Sequence, residues 1–143
     1  MKINPSGDSA AVSCPPRDDQ FGDGPAKVID GRRLAAEVRN SLSERIATID
    51  RSVRLDAVLV GTDRSAALYA ESQARQCRDV GIDYRLHQLP DDADDHVIGV
   101  LLDQLNTDNA VHAIMVHMPL PNGVDTERIH ARIHPEKDVE GVN

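Results

Sequence analysis

The sequence is poor in aromatic residues and in cysteine, and it has no long apolar run. Its 143 residues include one Phe, two Tyr and no Trp, so the core must be built from Leu, Val, Ile and Ala. The two cysteines, Cys14 and Cys77, lie in no metal-ligand or redox spacing, which favours a reduced protein with incidental thiols. No stretch approaches the roughly 18 apolar residues of a membrane span, and residues 1–25 lack the apolar centre of a signal peptide. We therefore expect a cytoplasmic protein with no membrane partner.

The sequence also lacks a surplus of positive charge. With 24 acidic against 16 basic residues its formal net charge is −8, which argues against binding a phosphate backbone and against nucleic acid as a partner. A length of 143 residues suits one domain with a single core. Hydrophobic residues make up 40% of the chain, and an aliphatic composition of this kind packs well in α/β layers.

Two regions differ in composition. Residues 1–25 are rich in Pro, Gly, Ser and Asp, which predicts an extended N-terminal arm. Residues 26–143 predict a single α/β domain, beginning with a brief strand-like entry at Val28 and Ile29. The arm and the domain are therefore expected to be separate parts of the chain.

Helical and strand periodicities alternate along the predicted domain. Helices are expected over about 32–49, from about 63 to 80, over 94–105 and from 125 to 133, and strands at 55–60, 82–89 and in the run that starts at 113. Asp63 or Ser65 can cap the second helix, and Gly81 is placed to end it. This alternation predicts three layers, a mostly parallel sheet with helices on both faces. The residues expected to face inward are Leu34, Val38, Leu42, Ile46 and Ile49 in the first helix and Val97, Ile98, Leu101, Leu102 and Leu105 in the third.

The third strand carries the residue of greatest chemical interest. Residues 113–116 form a short apolar run, His117 follows it, and Pro119 and Pro121 end it, because proline cannot continue a central strand. His117 is therefore expected at the carboxyl end of a buried strand, the edge at which open α/β sheets usually bind ligands.

Four motifs follow one another in the predicted domain: Ile29-Asp30-Gly31 before a helix, Val58-Leu59-Val60-Gly61 followed by Asp63 and Tyr69, Val116-His117-Met118-Pro119-Leu120-Pro121, and Pro135-Glu136-Lys137-Asp138-Val139-Glu140-Gly141. In order and spacing the chain resembles the N-terminal catalytic domain of the bifunctional methylenetetrahydrofolate dehydrogenase/cyclohydrolase family. The resemblance implies a folate cleft between this domain and a second, NADP-binding Rossmann domain. The 143-residue sequence has no Gly-x-Gly-x-x-Gly after a strand. We therefore expect no nicotinamide cofactor and no dehydrogenase activity.

The resemblance also shows which site residues differ from the family pattern. The family's tyrosine is retained as Tyr69, but its catalytic lysine, four residues later on the same helix face, is replaced by Gln73. The family's glutamine on the third strand is His117, and the second aspartate of its loop motif is Glu140. The first aspartate survives as Asp138, and a serine three residues before the tyrosine is replaced by Ala66, with Ser65 beside it. The resemblance assigns substrate binding to Tyr69, Gln73, Pro119, Leu120, Pro121, Asp138 and Glu140.

These substituted residues predict proton-transfer chemistry. A histidine with an ordinary pKa of about 6.5 can give or take a proton near neutrality, which a glutamine cannot. Glu140 can orient or stabilise the ring, Tyr69 offers a phenol and a stacking surface, and Gln73 can polarise a carbonyl. The candidate catalytic residues are therefore His117, Glu140, Tyr69 and Gln73. We expect a stand-alone enzyme without cofactor or metal that catalyses cyclisation, elimination, isomerisation or hydrolysis of a small molecule, in specialised metabolite biosynthesis.

Two other functions remain open. The domain can be a non-catalytic folate-, pterin- or partner-binding scaffold, in which His117, Tyr69 and Glu140 have only structural or solvated roles. It can also be a residual methenyltetrahydrofolate cyclohydrolase in which His117 replaces the lysine. His130 and His134 share a spacing of four but have no third ligand, so no metal site is predicted. Apolar surface that the family buries against its second domain predicts a homo-oligomer, most simply a dimer.

Overall fold

A computed structural model describes residues 29–143 of the chain. The predicted arm, residues 1–25, and the first residue of the predicted strand-like entry lie outside the described residues. Ile29 and Asp30 have no regular secondary structure. The elements that follow are helix α1 (Gly31–Ala47), strand β1 (Val53–Val60), helix α2 (Arg64–Val80), strand β2 (Ile82–Leu89), helix α3 (Asp95–Thr107), strand β3 (Ala113–Val116) and helix α4 (Thr126–His130).

The three described strands form a parallel sheet in the order β2-β1-β3. One face of the central strand packs on α3 and α4, where Val58 and Val60 join Ile98, Leu102 and Ile129 in the main apolar core. Helix α2 packs on the opposite face of the sheet. The predicted fold class, a parallel sheet with helices on both faces, is confirmed. The aliphatic composition suits it, because β-branched and leucine side chains fill the main core without aromatic residues.

Helix ends follow the predicted chemistry. The Asp63 carboxylate accepts a hydrogen bond from the Ala66 backbone N–H at 2.8 Å, so Asp63 caps α2, and the Ser65 hydroxyl donates to the same oxygen at 2.6 Å. Gly81 ends α2 in the left-handed conformation with φ of 87°, which favours glycine. Asp94 and Asp125 cap α3 and α4 in the same way as Asp63 caps α2.

The prediction that the apolar residues of the first helix face inward is wrong. The structure buries no residue of α1, and Leu34, Val38, Leu42 and Ile49 are exposed. The physical reason is that α2 already covers this face of the sheet, so α1 packs mainly against α2. Its apolar stripe borders an open groove whose other lining residues include Cys77 and Val80 of α2 and Ile82 at the start of β2.

The inward stripe predicted for the third helix needs one correction. Ile98, Leu102 and Leu105 are buried, but Val97 is 43% exposed. Gly99 is buried in its place. A side chain at Gly99 would meet the Arg132 guanidinium, at 2.8 Å from an added Cβ. The buried face of α3 is therefore rotated away from Val97. The short fourth helix also ends at His130, three residues before the predicted end, although Ile133 is still buried.

A buried ion network joins β1 to β2 and to Asp108, the residue that follows α3. Asp56 is completely buried in β1, and its carboxylate accepts hydrogen bonds from Arg54 Nε at 2.6 Å, from Arg54 Nη2 at 2.7 Å and from His87 Nε2 at 2.6 Å. Arg54 also reaches Asp108, after α3, at 3.3 Å. Alternation of apolar and polar residues did not predict this network, because a charged residue on a strand normally indicates an exposed face.

No helix within residues 29–143 is long and apolar enough to cross a membrane.

Candidate active site

His117 is the first residue after β3, as predicted. Its backbone N–H donates to the Val58 carbonyl of the central strand at 2.8 Å, and the residue is only 2% exposed. The hydrogen bond extends the β1–β3 ladder by one step, so it fixes the backbone of His117 at the carboxyl edge of the sheet.

The nearest polar partner of His117 is Tyr84. The Tyr84 hydroxyl lies 3.1 Å from His117 Nε2, although Tyr84 lies on β2 and His117 follows β3, on opposite sides of β1. Strand register explains this reach. Tyr84 lies opposite Leu55, and Met115 lies opposite Ala57. Because residues two apart share a face, Leu55 and Ala57 face the same side, and so do Met115 and His117. All of these side chains therefore point toward α2. Between them, the central strand presents only the methyl group of Ala57, which leaves room for the phenol to cross.

Tyr69 contacts the same imidazole from α2. The centroids of the Tyr69 and His117 rings are 5.7 Å apart with the ring planes at 80°, an edge-to-face contact. Tyr69 is 59% exposed. Its ring therefore contacts His117 and leaves much of its surface available to a ligand.

Burial controls the protonation of the His117–Tyr84 pair. Burial lowers the pKa of His117 below its ordinary value, because the charged imidazolium would lose water. Burial, together with the smaller effects of Cys77 and Tyr69, raises the pKa of Tyr84 to about 12. At neutral pH the imidazole is therefore neutral and the phenol keeps its proton.

A cavity of about 360 Å³ opens beside these groups. The apolar part of its wall is formed mainly by Met115, Val116, Met118 and Val142. The polar side chains on its wall are Ser65, Tyr69, His117, His130 and Glu140. The structure therefore brings together three of the four predicted catalytic residues, Tyr69, His117 and Glu140.

The loop that carries Glu140 is tied to the strand that carries His117. The Asp138 carboxylate accepts hydrogen bonds from the backbone N–H groups of Glu140, Gly141 and Asn143, at 3.0, 2.9 and 2.9 Å. These hydrogen bonds, of which the one from Asn143 has the largest effect, lower the pKa of Asp138 below its ordinary value. Residue 138 also forms a bridge with Ile114 of β3. Asp138 therefore holds the loop in shape.

The remaining predicted site residues lie outside the wall of the cavity. Gln73 shares a helix face with the buried Ala70 and Cys77, and its side-chain oxygen is buried without a hydrogen-bond partner. Leu120 packs against the main core, and Pro121 borders a different depression. Pro119 and Asp138 are likewise absent from the wall. Their role in substrate binding stays a prediction.

Sequence reasoning missed Tyr84 and the place of His130. The alternation of β2 puts Tyr84 on its helix-facing side, but the contact with His117 depends on strand order, which local periodicity does not give. His130 was considered only as a metal ligand with His134, whereas it lies on the cavity wall. No group of three metal-ligating side chains occurs within residues 29–143.

The parallel sheet flanked by helices, with a polar cleft where its strands end, defines an α/β domain with a candidate ligand site at the carboxyl edge of its sheet. The family model of the tetrahydrofolate dehydrogenase/cyclohydrolase catalytic domain matches residues 29–140. The chain therefore belongs to this family.

Solved structures of longer proteins agree with this assignment. The bifunctional enzyme FolD, a methylenetetrahydrofolate dehydrogenase/cyclohydrolase from Campylobacter jejuni, is 30% identical with a TM-score of 0.75, over 78% of this chain and 41% of that one. A 5,10-methylenetetrahydrofolate dehydrogenase from the silkworm Bombyx mori is 28% identical with a TM-score of 0.80, over 83% of this chain and 42% of that one. The Trypanosoma brucei FolD, solved with NADP cofactor and an inhibitor, is 27% identical with a TM-score of 0.74, over 79% and 40%. The chain thus spans about two fifths of these proteins.

Proposed function

We propose that this domain catalyses a cofactor-independent acid–base reaction on a small molecule bound beside His117. The reaction class is cyclisation, elimination, isomerisation or hydrolysis. The observation that carries the proposal is the buried His117, held by Tyr84 on the wall of a cavity that also presents Glu140 and Tyr69. A fixed histidine that can donate a hydrogen bond or a proton, with a carboxylate on the same wall, supplies the pair of groups that acid–base catalysis needs.

The proposed roles follow from burial and charge. His117, buried and neutral, is the group that exchanges a proton or hydrogen bond with the substrate. Glu140 is exposed and supplies the only formal charge among the residues on the cavity wall, so it favours a ligand that is cationic or rich in N–H groups. Tyr69 covers the ligand with its exposed ring. Gln73, whose buried oxygen accepts no hydrogen bond, can accept one from a ligand that reaches below Tyr69.

The experiment compares wild type with His117→Gln and Glu140→Gln. Each protein is incubated with a small-molecule extract, and consumed and formed metabolites are identified by mass spectrometry. Loss of general acid–base catalysis lowers a rate by about 10² to 10⁴-fold, and we expect losses of this size in both variants. His96→Gln and Glu136→Gln are matched controls, because both residues are exposed and lie off the cavity wall. Turnover that is unchanged in both site variants would rule out the assignment.

Retained folate binding is the second candidate, favoured by the family membership and by the retained Tyr69. The domain would then be a folate- or pterin-binding scaffold, or a residual cyclohydrolase. Isothermal titration with tetrahydrofolate and hydrolysis of methenyltetrahydrofolate separate these cases: binding without hydrolysis supports a scaffold, and hydrolysis supports a cyclohydrolase. A Gln73→Lys variant restores the family's lysine and should increase hydrolysis if the cleft still holds the folate in the family's orientation.

We also propose that the protein is a homodimer. The support is the exposed apolar stripe of α1, where Leu34, Val38 and Leu42 are 46%, 57% and 37% exposed. Light scattering at micromolar concentration should give twice the mass of one chain. A monomer would contradict the proposal.

A further inference from the structure

The hydrogen bond between Tyr84 and His117 determines which ring nitrogen carries the proton. The Tyr84 hydroxyl has no hydrogen-bond partner other than Nε2 among the described residues. If Nε2–H donated to the phenol, the phenol's own proton would have no acceptor in this part of the chain. If the phenol donates to Nε2, both groups are satisfied.

The acidity of the two groups supports the same direction. Tyr84, with a pKa of about 12, keeps its proton, and burial keeps His117 neutral. A neutral imidazole nitrogen is a stronger acceptor than a phenol oxygen. The ring proton of His117 therefore lies on Nδ1.

The other ring nitrogen is available to a ligand. No described residue makes a hydrogen bond with Nδ1, and His117 is part of the cavity wall. A proton fixed on this nitrogen makes His117 a hydrogen-bond donor toward the cleft.

We propose that Tyr84 is a positioning residue that fixes the tautomer of His117, so that the ring presents Nδ1–H to a hydrogen-bond acceptor of the substrate, such as a carbonyl oxygen. A neutral imidazole donor of this kind polarises a carbonyl without transferring its proton. Glu140 is then the group on the wall that accepts a proton from the polarised substrate. The assignment of substrate atoms rests on the proposed function, whereas the tautomer does not.

The test is a long-range ¹H–¹⁵N correlation spectrum of imidazole-labelled protein at pH 7.5, with His117 assigned by its loss in His117→Gln. We expect a protonated Nδ1 and an unprotonated Nε2 in the wild type. In Tyr84→Phe, which removes only the hydroxyl, the proton should move to Nε2 or distribute over both nitrogens. Tyr69→Phe is the matched control, because the Tyr69 ring contacts the imidazole without a hydrogen bond between them, so loss of its hydroxyl should leave the tautomer unchanged.

A wild-type His117 protonated on Nε2, or a Tyr84→Phe spectrum with Nδ1–H retained, would overturn the proposal. If Tyr84→Phe does not fold, the wild-type spectrum alone decides. Titration with cyclohexanone, a simple carbonyl probe, should shift the Nδ1–H proton, and no shift up to its solubility limit would overturn the acceptor assignment. These readouts need no turnover, so failure of the proposed reaction is distinguishable from failure of this inference.

Discussion

Replacing Asp56 by asparagine tests the buried ion network most directly. The substitution preserves the shape of the side chain but removes its charge and turns one oxygen into an N–H donor. In the folded protein that donor would face Arg54 or His87, both of which already donate to this carboxylate at 2.6–2.7 Å. Asp56→Asn therefore leaves the buried Arg54 guanidinium partly unpaired. It also brings the amide N–H₂ of the new side chain against another N–H donor.

The expected loss is large for a single substitution. Removing one partner of a buried ion pair costs about 3–5 kcal/mol. Arg54 keeps its contact with Asp108, and its side chain is 11% exposed, so the lower end of that range, about 3 kcal/mol, applies. With a urea m value of roughly 1–3 kcal/mol/M for a small domain, the unfolding midpoint should fall by roughly 1–3 M.

Urea unfolding monitored by circular dichroism measures this shift. Asp83→Asn is the matched control, because Asp83 pairs with Arg85 at 3.3 Å and is 42% exposed, so its midpoint should hardly change. If the unfolding midpoint of Asp56→Asn fell no further than that of the control, with the same m value in both, the reasoning that Asp56 is an essential buried counter-ion would be refuted.

Three further predictions concern individual residues. Burial lowers the pKa of His117, so the unfolded chain binds more protons than the folded protein as the pH falls below about 6.5. The free energy of unfolding of the wild type should therefore decrease below that pH. In urea titrations from about pH 7 to 5, His117→Gln should lose less stability than the wild type. Parallel pH curves would contradict this. Gly81→Ala should lower the free energy of unfolding by about 1 kcal/mol, and with it the Tm, because φ is 87° at this position. Gly31→Ala, at a helical position, should lower stability little. Equal changes in Tm for the two variants would contradict the conformational argument. Burial raises the pKa of the Cys77 thiol, so peptide mapping should find Cys77 alkylated by iodoacetamide only after denaturation; labelling in the native protein would contradict its burial.

Local features of the fold were predictable because they depend on neighbouring residues. The Asp63 cap and the Gly81 stop follow from hydrogen bonding and backbone conformation within one turn. Strand β2 has the predicted bounds, Ile82–Leu89, since its length is set by flanking turn residues. The position of His117 at a strand end followed from the prolines after it.

Features that depend on tertiary packing were not predictable in this way. The apolar stripe of α1 indicates an amphipathic helix but does not say how much surface another element leaves for it, and α2 left little. The Tyr84–His117 bond required the strand order and the small Ala57 between them. The burial of Asp56 was not predictable from the sequence, because its partner His87 lies on β2 and becomes a neighbour only when the sheet forms.

The anchoring of the Asp138 loop to β3 has a consequence for how the cleft can change. His117 and the loop that carries Glu140 are both fastened to one strand, so their separation is preserved when other elements shift. Tyr69 and Ser65 reach the cleft from α2 instead. The candidate residues His117 and Glu140 thus share one frame, whereas the part of the wall that α2 supplies can change independently of it. Substitutions meant to admit a larger or smaller ligand belong on α2, where they leave the spacing of His117 and Glu140 intact.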